Sequence, residues 1–520
     1  MLKPLPIGIQ TFRKIVEGGY LYVDKTPLIY NLIRNASGVY FLSRPRRFGK
    51  SLLISTLEEI FLGNQELFRG LWLYESDYTW QAHPIIRIDF SLERVQSATQ
   101  MEEVIGHYLE EIAWSYNLAL IEGSYQRQFR WLIQQLAQQE RVVILIDEYD
   151  YPIIDNIENP AIAAEVRDVL KGFYTVIKAL DRYIRFVFLT GISKFSRIGV
   201  FSGLNNLEDI SMDRRYTALP GITQGELESE FAQHLDHFAK HEATDKQSLL
   251  AKIREWYNGF KFSEEGHPVY NPFSLLLLFE RFTFRNYWFE TGSPTFLMKL
   301  LRDRNYDIQQ LQRLQVSEIE MSTYEIDQLQ LIPLLFQTGY LTIKEYDAEQ
   351  RLYTLYFPNY EVEDAFLVWL LNTFSYVRQG LQESHLWQLV DALKNDDLTK
   401  FFDVLKLFFA QNPYGLQINQ ERYYQSIFYI IFTLLGLRLD AERQTNRGRI
   451  DAVIELPHAI YLFEFKLDGS AAAALQQIRD TGYAEAYRGH GKALQLVGAN
   501  FSTANRAVTD WEVETISTKG

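Results

Sequence analysis

The run GVYFLSRPRRFGKSLL, residues 38–53, decides how the first half of this 520-residue chain is read. Its opening, GVYFLS (Gly38–Ser43), is a short apolar run of the kind a strand buried on both faces of a parallel sheet requires. Its close, GKSLL, starts a helical pattern. FGKS matches the end of a phosphate-binding loop, where backbone N–H groups cradle anionic oxygens and the helix N-terminus adds its dipole. In that pattern Arg47, Phe48 and Gly49 belong to the cradle, Lys50 reaches the β- and γ-phosphate oxygens, and the Ser51 hydroxyl ligates magnesium. The pattern asks for glycine five positions before Gly49, and Arg44 stands there. A basic turn capping an ordinary helix is the competing reading. No acid occurs from Arg34 to Lys50, so Arg44, Arg46, Arg47 and Lys50 form a local positive cluster, and a triphosphate is its simplest ligand.

Three further runs share the apolar character of the first: IIRIDFS (Ile85–Ser91), RVVILIDE (Arg141–Glu148) and IRFVFLTG (Ile184–Gly191). Amphipathic stretches at Met101–Leu118 and Tyr125–Gln138 lie between them, and this alternation predicts an α/β sandwich. The third run ends in two carboxylates, placed for Asp147 to hold magnesium and for Glu148 to polarise an attacking water. An acidic turn capping a core strand is the alternative. Its coincidence with FGKS, each at a strand end and about 97 residues apart, favours a nucleotide site. FLTGISKFS (Phe188–Ser196) offers Thr190 or Ser193 as a γ-phosphate sensor. Arg197, Arg214 and Arg215 are candidates for stabilising charge during hydrolysis, with surface ion pairing as the default reading.

Length predicts three to four domains. Apolar residues at 47% and charged residues at 23% mark a globular chain rather than a disordered or fibrous one. The absence of cysteine excludes disulfides and thiolate metal sites, and nine scattered histidines argue against zinc. A net charge of −14 requires any nucleic-acid contact to rest on a local patch. The start lacks a secretion-signal pattern, and the greasiest stretches, Phe273–Phe279 and Ile427–Leu437, fall short of the roughly 20 residues that span a bilayer. A cytoplasmic protein with no membrane partner is expected. The segments predicted are an α/β domain over 1–225, a mostly helical region over 226–414 with a strand pair at Tyr340–Phe357, and a third domain over 415–520.

The third domain centres on GRIDAVIELPHAIYLFEFKLD (Gly448–Asp468), two β runs around a Leu-Pro-His turn. With the turn near Pro457, paired positions sum to about 915. Asp451 then faces Glu464, and Arg449 faces Lys466. Side chains two apart share a face, so Asp451, Glu464 and Lys466 converge while Tyr461, Phe463 and Phe465 point the other way. Opposed carboxylates repel unless a cation lies between them, and magnesium or manganese suits hard oxygen ligands. Lys466 would orient or deprotonate water for phosphodiester hydrolysis. A hairpin surface neutralised by Arg449 and Lys466 is the alternative. The flanking order, helix, three strands, helix, strand, is that of a restriction-endonuclease-like αβββαβ core, with Glu421 and Gln476 or Gln477 as further contacts. From Glu421 onward 11 Lys/Arg stand against 12 Asp/Glu, a near-neutral balance that a free-standing nuclease would not be expected to have.

With these residues in place the chain resembles the prokaryotic AAA-ATPase-like proteins that carry a C-terminal PD-(D/E)XK nuclease domain. The matching segments run from end to end: YVDKT (Tyr22–Thr26), RPRRFGKS (Arg44–Ser51), LIDEYD (Leu145–Asp150), LTGISKFS (Leu189–Ser196), FSGLNNLEDI (Phe201–Ile210), YNGF (Tyr257–Phe260), YNPFS (Tyr270–Ser274), YWFETGSPTFL (Tyr287–Leu297), LLFQTGYLTI (Leu334–Ile343), FPNYEV (Phe357–Val362), and GRIDAVIE with FEFK. The missing first glycine is a habit of that family. The resemblance implies a P-loop NTPase core using ATP with Lys50, Ser51 and Asp147, and a nuclease-type core with Asp451, Glu464 and Lys466. It implies a nucleotide and DNA or RNA as partners, and it admits homo-oligomers by analogy with AAA rings. It assigns no role to Tyr22–Thr26 or Tyr287–Leu297. An ATPase whose nucleotide state gates a metal-dependent nuclease is the resulting expectation. The rivals are an ATP-dependent switch with an inactive nuclease fold and, third, a small-molecule kinase on the same loop.

Overall fold

The computed structural model describes residues 2–35, 38–193, 201, 204, 206–289, 301, 314–322, 331–375, 381–409, 420–439, 443–444, 452–487, 491–505 and 507–516. The chain divides into two compact units, Met1–Ser293 with Arg313–Val362, and Pro294–Gln312 with Glu363–Gly520.

The first unit is built on five strands: β1 (Val39–Ser43), β2 (Ile85–Asp89), β3 (Val142–Asp147), β4 (Ile184–Gly191) and β5 (Glu208–Asp209), in spatial order β2-β3-β4-β1-β5. All four pairings are parallel. Every residue of β1 and β3 is buried, as the continuous apolar runs require of strands covered on both faces. One face, with Tyr40, Leu42, Val143, Leu145, Phe186 and Phe188, packs on the helices Thr26–Ile33 and Lys50–Phe61. The helices Ala98–Ser115, Tyr125–Leu136 and Pro160–Ala179 form another layer, where Phe173 stacks on Phe129 at 4.3 Å and meets Phe90 edge-on. The α/β sandwich and its four apolar strands follow the sequence expectation, and the two-residue β5 is an addition.

Four helices follow, Gln224–Glu230, Ala232–His241, Lys246–Tyr257 and Pro272–Arg281, sharing an apolar core with Leu235, Phe238, Ile253 and Leu278. The FSLLLLF run lies in the last of them, and no described helix is long and apolar enough to cross a membrane. The expected strand pair is present as β7 (Thr342–Asp347) and β8 (Leu352–Tyr356). It is joined by an unforeseen β6 (Leu314–Ser317) in the antiparallel order β6-β8-β7.

The second unit contains the helices Leu381–Lys394, Leu398–Leu407, Gln420–Leu439 and Ala471–Asp480 and a five-stranded mixed sheet. Its strands are β9 (Arg443–Gln444), β10 (Ala452–Glu455), β11 (Ala459–Leu467), β12 (Ala493–Ser502) and β13 (Ala507–Ile516), in order β13-β12-β11-β10-β9. Only β11 and β12 pair in parallel, across the helix Ala471–Asp480, as a crossover connection demands. The αβββαβ order is present and extended by β13, an antiparallel strand whose mostly exposed residues hide it from a search for apolar runs. The IFYIIFTLLGL run is buried on nearly all sides, with Phe428 stacked on Phe465 at 4.4 Å and Phe432 against Phe463 at 4.9 Å.

Local turn chemistry binds the first unit together at WYNGF. Gly259 has φ +105°, and a Cβ there would sit 2.1 Å from the Pro358 carbonyl oxygen. The side-chain amide of Asn359 donates to the Asn258 carbonyl at 2.8 Å, and the two distant segments meet with no room for a side chain on Gly259. Gly259→Ala combines a disfavoured backbone angle with overpacking and should destabilise the fold by about 3 kcal/mol. Gly225→Ala, where a Cβ meets nothing within 4 Å, is the control. Chemical denaturation of the two variants should separate them clearly; equal midpoints would refute the close approach.

Candidate functional site

Strand β4 lies between β1 and β3, so three loops leave the same edge of the sheet side by side. In register, Leu42 pairs with Thr190, Ser43 with Gly191, and Ile146 with Leu189. The FGKS loop, the acidic end of β3 and the LTG end of β4 are therefore neighbours, although about 97 and 43 residues separate them in sequence. Such an edge, at the carboxyl ends of parallel strands, is where α/β sheets bind ligands.

Gly49 caps the helix Lys50–Phe61 in the left-handed conformation, φ 91° and ψ 22°, and nothing lies within 4 Å of a Cβ placed there. Glycine is needed for its backbone angle rather than for space. Arg47 is also left-handed, at φ 67°. Phe48 is buried edge-on against Phe260 and Phe262, so its side chain anchors the loop and only its backbone can face a ligand. Lys50 is 4% exposed; its ammonium donates to the carbonyls of Arg44 at 3.1 Å and Pro45 at 3.4 Å, and pairs with Glu148 Oε1 at 3.3 Å. Ser51 follows in the first helical turn, half-buried.

At the end of β3, Asp147 is buried. Its Oδ1 accepts from the Thr190 hydroxyl at 2.5 Å and from the Glu148 amide at 3.1 Å, while its Oδ2 has no hydrogen-bond partner among the described residues. An orphaned buried carboxylate oxygen is costly without a proton or a cation, so the residue fits a hard divalent ion such as magnesium. Glu148 adopts φ 48°, unusual for glutamate, and this strained turn presents its carboxylate to Lys50. The structure thus brings together Lys50, Asp147, Glu148 and Thr190. Ser193, the other sensor candidate, is engaged instead with Asp150.

One sequence expectation changes here. Arg44 does not join an anion cluster. It is 1% exposed, donates to the carbonyls of Ser43 at 2.9 Å, Ser211 at 2.7 Å and Tyr216 at 3.3 Å, and stacks on Phe262 at 4.1 Å. Burial lowers its pKa to about 9, leaving it charged at neutral pH. The arginine in place of the first loop glycine is a bolt that fastens the loop to residues 211–216. Arg214 and Arg215 are exposed and paired with Glu265, and with Glu208 and Asp213, as surface ion pairs. Arg197 lies outside the described residues.

Asp150 was not singled out by motif matching, though it stands in the same acidic run. It is fully buried, and its Oδ2 accepts from the Ile192 amide at 3.1 Å, the Ser193 amide at 2.6 Å and the Ser193 hydroxyl at 2.7 Å. Tyr149 adds a bond from its hydroxyl to the Ser193 carbonyl at 3.0 Å. Together they latch the end of β4 beside β3, which keeps Thr190 at Asp147.

In the second unit the observed pairs Ala452↔Phe463 and Val453↔Leu462 have the register expected from the turn. Asp451, Arg449 and their predicted pairing lie outside the described residues. Glu464 is buried and Lys466 about one-third exposed, two apart on β11, with Lys466 Nζ 3.5 Å from Glu464 Oε1. Lys466 also donates to Gln477 Oε1 of the following helix, while Gln476 bonds Asp480 at 2.7 Å. Leu462 packs on that helix beside Leu475 and Ile478, whereas Phe463 and Phe465 face Phe401, Phe432 and Phe428. The two-faced strand is as expected, with Gln477 at the lysine. The side chain of Glu421 lies outside the described residues. Among the described residues no three metal-ligating side chains cluster, so this half of the chain presents Glu464 and Lys466 as a partial set.

Burial, with the charge of Glu148 adding to it, raises the Asp150 pKa from 3.8 to about 6. A folded-state value above the unfolded one means that proton uptake favours the fold. The stabilisation is complete below about pH 4 and is lost as pH rises through about 6. Asp150→Asn should therefore cost more stability at pH 5 than at pH 7, by on the order of 1 kcal/mol. Thermal unfolding of both proteins at the two pH values checks this, and a pH-independent difference would refute it.

Comparison with known proteins agrees with both halves. Residues 6–201 match the family model described as predicted AAA-ATPase, and residues 419–511 match that of the PD-(D/E)XK nuclease superfamily. The chain is 42% identical, over 532 aligned residues covering 99% of each protein, to an uncharacterised protein of the vnfD 5′ region of Azotobacter chroococcum mcd 1. On fold, motifs and similarity along its whole length, the chain belongs to the AAA-ATPase-like family whose members carry a C-terminal domain of the PD-(D/E)XK nuclease superfamily.

Proposed function

We propose that this protein binds and hydrolyses ATP at the loop Arg47–Ser51, and that nucleotide state controls a divalent-metal-dependent nuclease centre at Asp451, Glu464 and Lys466 acting on DNA or RNA. The observation that supports the first half best is the 3.3 Å ion pair between Lys50 and Glu148 beside the orphaned Asp147 Oδ2. Lys50 is held by Glu148 and two loop carbonyls. Phosphate oxygens would take over the ammonium, and the released Glu148 would orient and deprotonate water for attack on the γ-phosphate. Thr190, bonded to Asp147 Oδ1, would report the γ-phosphate through that carboxylate. Bound magnesium, held by the Ser51 hydroxyl and Asp147, would neutralise phosphate charge. Holding Lys50 with Glu148 also keeps a buried cation paired, since an unpaired one is expensive.

In the second half, Gln477 and Glu464 would hold Lys466 in place to activate water, while Asp451 and Glu464 would take up magnesium or manganese. We read residues 1–225, 226–414 and 415–520 as ATPase, connecting and nuclease-like modules of a cytoplasmic protein that is able to self-associate. A second reading is an ATP-dependent switch with an inactive nuclease fold serving as a binding platform. The near-neutral charge from Glu421 onward, 11 Lys/Arg against 12 Asp/Glu, favours it, because nuclease affinity draws on phosphate neutralisation.

Lys50→Ala should weaken ATP binding on the order of 100-fold, the scale of losing charge-assisted hydrogen bonds, with the circular-dichroism spectrum retained. Unchanged affinity in calorimetry would sink the phosphate-loop reading. Purified protein incubated with single- and double-stranded DNA and with RNA, in magnesium or manganese, with and without ATP, tests the other half. Cleavage that disappears in Asp451→Ala and Lys466→Ala, with ATP turnover kept, is the expected outcome. Cleavage surviving both substitutions would move the centre elsewhere, and ATP turnover with no cleavage would favour the switch.

A further inference from the structure

The aromatic string that opens at Tyr287 matches the family without a role attached to it, and Trp288 within it reaches the phosphate loop. Trp288 is 6% exposed, and its indole N–H donates to the Arg46 carbonyl at 3.1 Å, across 242 residues of sequence. Its own backbone is tethered in turn. The Trp288 amide donates to Glu361 Oε1 at 2.8 Å, and that buried carboxylate also accepts from the Ser274 hydroxyl at 2.9 Å. The indole packs against Phe260, Phe289 and Tyr340, with centroids 6.1, 5.3 and 5.2 Å apart. A tethered amide and three rings therefore set where the indole N–H points.

The other residues of the loop meet the same part of the chain. A Cβ on Gly339, at φ +87°, would sit 2.6 Å from Pro45 Cγ, and the Arg47 guanidinium lies over the Phe273 ring at 4.7 Å. Phe48 meets Phe260 at 4.9 Å, as Arg44 meets Phe262 at 4.1 Å. Each residue from Arg44 to Phe48 thus touches a residue drawn from 260–339, well past the last strand of the parallel sheet. Among these contacts the Trp288 bond acts on a backbone carbonyl of the loop, and backbone groups are what such a loop offers an anion.

We propose that Trp288 is a positioning residue of the nucleotide site: by holding the Arg46 carbonyl it fixes the direction of the Arg47 N–H for a phosphate oxygen. The role rests on the phosphate-loop reading above. A trans peptide is planar, so the Arg46 carbonyl and the Arg47 N–H point in opposite directions. With the carbonyl turned toward Trp288, the N–H is turned away from it. Arg47 also holds a left-handed φ of 67°, which a residue other than glycine keeps when its surroundings enforce it. Rotation of the Arg46–Arg47 peptide would change that angle. The bond from Trp288 opposes the rotation, so the loop is held in one arrangement rather than ordered at the cost of binding.

The test is calorimetric binding of ATP and of tripolyphosphate, each in magnesium, to the full chain and to Trp288→Phe and Phe289→Leu. The first variant keeps a ring in the core and removes the N–H. The second loosens the packing around the indole and leaves the bond. Both are first checked for an unchanged circular-dichroism spectrum. Expected in Trp288→Phe is a loss of roughly tenfold in affinity, the scale of one hydrogen bond, by the same factor for both ligands. Phe289→Leu should bind as the wild-type protein does. Wild-type affinity in Trp288→Phe, or an equal loss in Phe289→Leu, would overturn the positioning role and leave the phosphate loop standing. Where either variant fails to fold, hydrogen exchange of the unaltered protein decides. Coupling between two sites is reciprocal, so magnesium tripolyphosphate should slow exchange in the peptide carrying Tyr287 and Trp288 as well as in the loop. Protection confined to the loop would overturn the role. Failure of both ligands to bind the wild-type protein would overturn the phosphate-loop reading and this role with it.

Discussion

Insertion of β4 between β1 and β3 is the constraint on which the first half of this protein depends. All the pairings are parallel, so β1, β3 and β4 end at one edge, and both faces of the sheet must be covered. That requirement accounts for the unbroken apolar runs, and it places Lys50, Asp147 with Glu148, and Thr190 within reach of one another. Latching by Asp150 and Tyr149 onto Ser193 then holds the end of β4 in that position. A residue-by-residue view of the motifs would miss this, because Asp150 acts by bonding the end of β4 at Ile192 and Ser193.

Buried charge is managed differently at each of four positions. Arg44 is satisfied by carbonyls and a phenyl face, and it serves as a fastener. Lys50 is held by a carboxylate and two carbonyls. Asp150 is surrounded by donors yet still shifts toward neutrality, because three hydrogen bonds do not offset complete loss of solvent beside Glu148. Asp147 keeps one oxygen without a partner among the described residues. The same cost of desolvation therefore produces a structural bolt, a buried ion pair, a pH-sensitive latch and a fit for a cation, according to what surrounds each group.

The second unit applies a different rule. A strand with one face against aromatic helices and the other against the helix Ala471–Asp480 must alternate, and β11 does so over Leu462–Lys466. Because a slip of one residue would exchange the two faces, burial of Phe463 and Phe465 holds Glu464 and Lys466 on the side of Gln477. The aromatic stacking in the core thus sets the direction of the polar set.

The amino-acid sequence by itself determined the elements that carry a period or a sharp local signal. These are the four largely apolar strands, the glycine-capped helix at Lys50, the hairpin register around Pro457, and the pairing of an FGKS loop with an acidic strand end. Local sterics and alternation suffice for each of them. Tertiary structure alone decided the fate of Arg44, whose charge reads as a ligand contact until its burial is known. It also decided the latch at Asp150, the extra strands β5, β6 and β13, and the link from Lys25 to Glu226 across 201 residues. Those features depend on desolvation and on contacts between segments far apart in the chain, and neither is encoded in the spacing of neighbouring residues.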